Sequence, residues 1–250
     1  MGNPSAEREP SPAGGRRFET TQWTLVLEAG DDDDRQAREA LALLCQTYWQ
    51  PVYAYLRARG FARQEAEDLT QGFFTRLIEK GTIGRARRER GRFRSFLLAS
   101  LKHYVTNEWH RARAEKRGGG RPVVRLDSDA AERRLPREPA IRETPEDLFL
   151  KQWAFTLLDR VMASLDAEMR RTGRGEQFEV LGGFLTGRDD GLRYRDVAAR
   201  LGATEGAVKV KVHRMRKRFG ELLRQEVAAV VSTPGEVEDE LAALLEAVAA

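Results

Sequence analysis

The sequence predicts an all-α fold of two helical modules joined by a flexible linker, the second module containing a helix-turn-helix. Three observations predict it. Apolar residues recur every three or four positions from Thr20 to Glu115 and again from Thr144 onward, no stretch alternates as a strand does, and a polar run without a period separates the two regions. A chain of 250 residues is long enough for two modest domains, each with its own core.

Residues 1–18, rich in Pro, Gly, Ser and charge, are expected to be disordered. The first module is assigned to residues 19–117. Its first helix should run from Asp34 to Arg59, burying Ala40, Leu43, Leu44, Tyr48, Val52 and Leu56, with Pro51 kinking or dividing it. After the break at Gly60 a second helix passes through AEDLTQGFFTRLIEK to Gly81, with Leu69, Phe73 and Leu77 turned inward. A third, from Phe93 to Lys116, uses Phe96, Leu97, Leu101, Tyr104 and Val105.

GGGRP at Gly118–Pro122 stops that helix and opens the linker, residues 118–144. The second module, residues 145–228, begins with Thr144 as N-cap, Pro145 at the first helical position and Asp147 three residues beyond the cap. One helix carries Phe149, Trp153, Leu157, Leu158, Val161 and Leu165, and another carries Phe178, Leu181, Phe184 and Leu185. YRDVAARLGATEGAVKVKVHRMRKRF follows. In the tail, residues 229–250, Thr233 and Glu236 match a capping box around Pro234, and Val237, Leu241, Leu244 and Val248 line one side.

Charge is distributed unevenly. Between Arg85 and Arg117 eleven cations face three acids, a local charge of +8, and between Glu205 and Arg224 seven face two, a local +5. Since the whole chain is only +4, the rest is acidic, and two separate basic surfaces suggest two polyanion contacts. The single cysteine, Cys45, excludes an internal disulfide and a cysteine-cluster zinc site. A reducing cytoplasm fits that usage, and neither a signal peptide nor a membrane span is expected.

The helix-turn-helix reading rests on features that coincide within a short space. Tyr194, Val197, Ala198 and Leu201 give the first helix an inner face, Gly202 permits the turn, and Thr204 can cap the second helix. Val208, Val212, Met215 and Phe219 fall four, three and four apart and should pack together, leaving the cations to solvent or a ligand. In such a motif the start of the second helix meets base edges while later cations meet phosphates. Thr204, Glu205, Gly206 and Lys209 are thus candidates for base reading, with Lys211, Arg214, Arg216 and Arg218 also expected at the DNA surface. RFRSFLLASLKHYVTNEWHRARAEKR mixes cations with Phe93, Phe96, Tyr104 and Trp109, which suits single-stranded nucleic acid, although several of these rings fall on the apolar stripe.

Taken in order, AEDLTQGFFTRLIEK, FRSFLLASLKHYVTNEWHRARAEKR and YRDVAARLGATEGAVKVKVHRMRKR resemble an extracytoplasmic-function sigma factor of bacterial RNA polymerase, over roughly residues 20 to 228. The resemblance implies that Asp68 and Gln71, an Asp-x-x-Gln pattern, dock on the clamp helices of the core polymerase's largest subunit, with Phe74 and Ile78 beside them. It implies that Phe96, Lys102, His103, Asn107, Arg111 and Arg113 capture and open the minus-ten promoter element. Thr204, Gly206, Lys209, Arg214 and Arg216 would read the minus-thirty-five element. Phe96, His103 and Asn107 depart from the Trp, Asn and Asp common at those places, which bears on promoter sequence more than on activity. The implied partners are core polymerase, duplex and melted promoter DNA, and an anti-sigma factor or other regulator, with no membrane and no cofactor.

Two rivals remain open from the residues alone. A conventional helix-turn-helix regulator explains the second module and leaves the first idle. An enzyme is disfavoured because His103, His110 and His213 are scattered within basic helices, no glycine loop follows a strand, and no metal-spaced ligands accompany Glu67 and Asp68. The tail, with six acids and no Lys or Arg from Gln225 onward, either covers the basic recognition surface or adds to the core.

Overall fold

A computed structural model of the protein describes residues 35–79, 93–115, 143–186, 193–231 and 235–249. The expectations for residues 1–18, for nearly all of the linker and for the Thr233 cap lie outside them, as do the side chains of Ala40 and Arg113. Among the described residues there are nine helices and no strand, so the fold is all-α. They are α1 (Arg35–Ala58), α2 (Arg63–Glu79), α3 (Phe93–Glu115), α4 (Pro145–Arg171), α5 (Gly175–Leu181), α6 (Gly183–Thr186), α7 (Tyr194–Arg200), α8 (Glu205–Ala228) and α9 (Glu236–Ala249).

Helix α1 is not divided at Pro51. An interior proline costs about 3 kcal/mol, but each large apolar side chain buried recovers about 1.5–3 kcal/mol. Val52, Tyr53, Ala54, Tyr55 and Leu56 are all at most 1% exposed, so packing decides the outcome. Covered on every side at this point, α1 is the central helix of the fold. Tyr48 shows how: its ring meets Phe93 edge-on at 5.0 Å and stacks near Phe149 at 6.3 Å, joining α1 to α3 and α4.

Local chemistry sets the start of α4. The Thr144 hydroxyl accepts from the Asp147 amide at 3.1 Å, the Asp147 carboxylate accepts from the Thr144 amide at 2.9 Å, and Pro145 stands at the first helical position. These reciprocal bonds satisfy amides that no helical partner reaches, and the bonds from Thr144 hold the Asp147 carboxyl below its ordinary range.

There are two cores, but they do not divide at the sequence stretch read as a linker. The larger core joins α1, α2 and α3 to Phe149, Trp153, Leu157 and Val161 of α4, Leu223 and Val227 of α8, and Leu241 and Leu244 of α9. The smaller gathers Leu165 and Met169 at the end of α4 with Val180, Leu181, Phe184, Val197, Ala198, Val208, Val212 and Met215. Helices α4 and α8 therefore run through both. Arg160 reinforces the junction, donating to the Thr47 hydroxyl at 2.6 Å and pairing with Glu226 at 3.1 Å.

The tail helix joins the larger core, packing on α4 and on the C-terminal half of α8. Its inner face differs from the expected stripe: Val248 is exposed and Glu240 is buried in its place. Glu240 pairs with Arg94 of α3 at 2.8 Å, with the side chains 2% and 8% exposed, and the Arg94 guanidinium lies 4.9 Å from the Trp153 ring centroid. The rest of the expected stripe, Val237, Leu241 and Leu244, still packs on the larger core, and the buried pair extends that contact to α3.

Candidate nucleic-acid interface

The α7–α8 pair is built outward from the smaller core. Tyr194 opens α7 stacked on Phe184 at 4.8 Å, and Val197 and Ala198 are buried beneath it. The chain then turns at Gly202, whose φ of +58° lies in the left-handed region that a side chain disfavours. The Ala203 amide closes the turn on the Ala198 carbonyl at 2.9 Å. Thr204 caps α8, its hydroxyl accepting from the Ala207 amide at 3.2 Å. Val208, Val212 and Met215 point inward as their spacing predicts, and Phe219 is half-buried.

Outward from that stripe stand Thr204, Glu205, Gly206, Lys209, Val210, His213, Arg214 and Lys217, all exposed, with Lys211 half-buried. Lys209 Nζ lies 5.6 Å from the Tyr194 ring centroid, a cation-π contact that brings the ammonium back towards the start of α7. Lys211, Arg214 and Lys217 make no ion pair among the described residues.

Two of the expected DNA-facing cations are engaged internally instead. Arg216 donates to the Phe184 carbonyl through Nε and Nη2, at 3.3 and 2.9 Å, satisfying an acceptor near the end of α6. Arg218 grips both oxygens of Glu168 at 2.8–3.1 Å and also reaches Glu221 at 3.1 Å. Hydrogen bonding to Arg218 holds the Glu168 carboxyl below its usual range, and the same bonds raise Arg218. Spacing gives a hint for Arg216, which follows Val208 and Val212 by fours. For Arg218 the spacing offers only Glu221, three residues on; its bidentate partner Glu168 is fifty residues away.

The second candidate surface lies where α2 meets α3. Gly72 lets them approach: a Cβ there would stand 2.5 Å from the Tyr104 hydroxyl. Burial pushes the Tyr104 phenol up to about 12. Arg76 lies over this ring at 5.8 Å and reaches Glu108 at 3.2 Å, and Arg111 meets the same carboxylate at 3.1 Å.

A groove of about 430 Å³ on one side of this contact brings Asp68 and Gln71 together with Arg76, Glu108 and Arg111. Another, of about 280 Å³, is lined by Phe73, Leu77, Ser100, His103 and Asn107. Ile78 stands 49% exposed on α2.

Three residues expected at this surface are placed elsewhere. Phe74 is a core residue, 6% exposed and stacked 5.9 Å from Trp49, so it supports α2 rather than presenting itself to a partner. Phe96 is half-buried, packed against the larger core and 6.2 Å from Phe93, so much of its ring is taken up in packing. Lys102 is turned to the other module, where it meets Glu146 in the first turn of α4 at 2.7 Å. Hydrogen bonding across that pair raises Lys102 and lowers Glu146. Conversely Trp109, one of the four aromatics of the basic tract, is 52% exposed, with its ring edge-on to His110 at 5.2 Å, whereas Phe93 is buried.

Among the described residues no helix is long and apolar enough to cross a membrane, and no cluster of three or more His, Cys, Asp or Glu could hold a metal ion. No protein-family model, curated protein or solved structure matches the chain.

Proposed function

We propose that the protein is a promoter-specificity subunit of a bacterial RNA polymerase, a sigma factor of the extracytoplasmic-function kind, acting in the cytoplasm without chemistry of its own. The observation that carries the reading is the outward face of α8: a capped helix start followed by Lys209, Lys211, Arg214 and Lys217, none of them in an ion pair among the described residues. Such a face suits entry into a major groove, with the first turn at base edges and the later cations on phosphates, as in a helix-turn-helix. The α2–α3 surface supports the rest of the reading. Asp68, Gln71 and Ile78 offer one side of α2 to core polymerase, while His103, Asn107 and Trp109 offer polar groups and an exposed ring to an unpaired strand.

A second reading is favoured by a specific observation. With Phe74 and Phe96 packed inward and Lys102 tied to Glu146, the first surface has fewer free groups than the resemblance implies, which suits a conventional regulator binding duplex DNA through α8 alone.

Reconstitution with core polymerase separates them. A specificity subunit co-purifies with core enzyme and directs initiation from a defined start site; a conventional regulator binds the duplex and does neither. Replacing Asp68 and Gln71 together by alanine should weaken core binding at least ten-fold without altering duplex affinity. Unchanged core affinity removes that assignment.

A further inference from the structure

The sequence VKVKV, Val208 to Val212, alternates like a strand but is folded as helix, and this separates the fates of its valines. A helix turns about 100° per residue, so residues 208 and 212 share one face and residue 210 lands about 200° from 208. Val208 and Val212 are 0% and 1% exposed, and Val210 is 50% exposed. It is the one large apolar side chain that α8 exposes. Folding gains little from it there, since valine ranks below alanine in helix propensity and this one is not covered by either core.

Its surroundings say what could cover it. Gly206, one turn earlier on the same face, has open space where a side chain would stand, so nothing on that side keeps a ligand from the helix surface. Lys209 and Lys211 flank it, Arg214 follows one turn later and Lys217 two turns later, all exposed or half-buried. An apolar group ringed by cations fits a ligand whose outside is anionic and whose inside carries a small apolar feature. Duplex DNA has this arrangement: phosphates border the major groove, and the thymine 5-methyl is the apolar group on its floor.

We infer that Val210 is a base-reading residue whose exposed methyls pack against a thymine 5-methyl and select an A·T pair at one position of the duplex bound by α8. This rests on the reading of α8 as a major-groove helix and names a contact within it. Flanking cations fix the register on the phosphates, and the valine supplies discrimination that charge cannot.

The test removes that methyl alone. The full-length protein is first used to select a duplex from a random library. Each thymine of the selected site is then replaced in turn by deoxyuridine, which keeps every hydrogen-bonding group. For the unaltered protein, one such replacement should weaken binding by about 3- to 10-fold, the scale expected for one buried methyl contact. For Val210→Ala the same replacement should have no effect, while Val210→Thr, which keeps a γ-methyl, should retain the discrimination. The inference is overturned if no deoxyuridine probe binds less well than its thymine parent, or if the loss persists undiminished in Val210→Ala. Failure to select any duplex at all overturns the major-groove reading itself, a result distinct from selection without methyl sensitivity.

Discussion

Helices α3 and α8 are both basic, yet they hold their charge in opposite ways. The tract around α3 has the larger formal charge, +8 against +5. Its described cations are nevertheless engaged: Arg94 with Glu240, Lys102 with Glu146, and Arg111 with Glu108. On α8 both uses are interleaved: Lys211, Arg214 and Lys217 carry no ion pair among the described residues, while Arg216 and Arg218 serve the fold. A count of Lys and Arg thus overstates what α3 can offer a polyanion. The partner of each cation decides whether it is available to a ligand or already used in packing.

The contrast is broken most severely at the buried pair. Glu240→Ala leaves Arg94 buried without its carboxylate and should cost about 3–5 kcal/mol of stability, read by chemical denaturation at neutral pH. Arg94→Met combined with Glu240→Leu should recover most of that. A loss below about 1 kcal/mol for the single change would show that the pair does not hold α9 to α3.

The next largest effect concerns the free cations. Replacing Lys211 and Arg214 together by alanine should lower the slope of log affinity against log salt by about 1.8, with no change in melting temperature. Equal slopes would mean that these side chains do not meet phosphate.

Arg218→Ala should cost about 1 kcal/mol after allowance for solvent around a pair that is partly exposed. Because Glu168 is held below its ordinary range, this contribution is fully present above about pH 4.3 and fades as pH falls through the lower folded value. The stabilities of variant and parent should therefore converge in acid, and a gap that persists at pH 2 would place the effect in packing instead.

The smallest effect sharpens the contrast rather than breaking it. Glu146→Gln releases Lys102 and should raise affinity for a single-stranded oligonucleotide about two-fold, since an exposed pair is worth well under 1 kcal/mol. Lys102→Ala in the parent should then change that affinity less than it does in the variant.

What was legible in the sequence was local. The α4 start could be read from Thr144, Pro145 and Asp147 because all the groups that bond there lie within four residues. The inward stripe of α8 could be read from Val208, Val212 and Met215 because helical geometry alone puts them on one side. Tertiary facts were hidden. Pro51 reads as a break until five buried neighbours are weighed against it, and Phe74 reads as a docking residue until Trp49 is found across it. Lys102, Arg216 and Arg218 read as surface cations because their partners lie 32 to 50 residues away in sequence, or across the linker. Nor does any spacing mark Glu240: acids on an amphipathic helix belong outside, and only a buried arginine from another helix brings one in.

Helices α4 and α8 each thread both cores, like two rods passed through a pair of blocks. Neither block can be pulled apart without fraying a rod that the other also needs. Heating should therefore meet one cooperative melt in place of two, and amide exchange along Val208–Val227 should slow to a single common limit despite the change of neighbours midway.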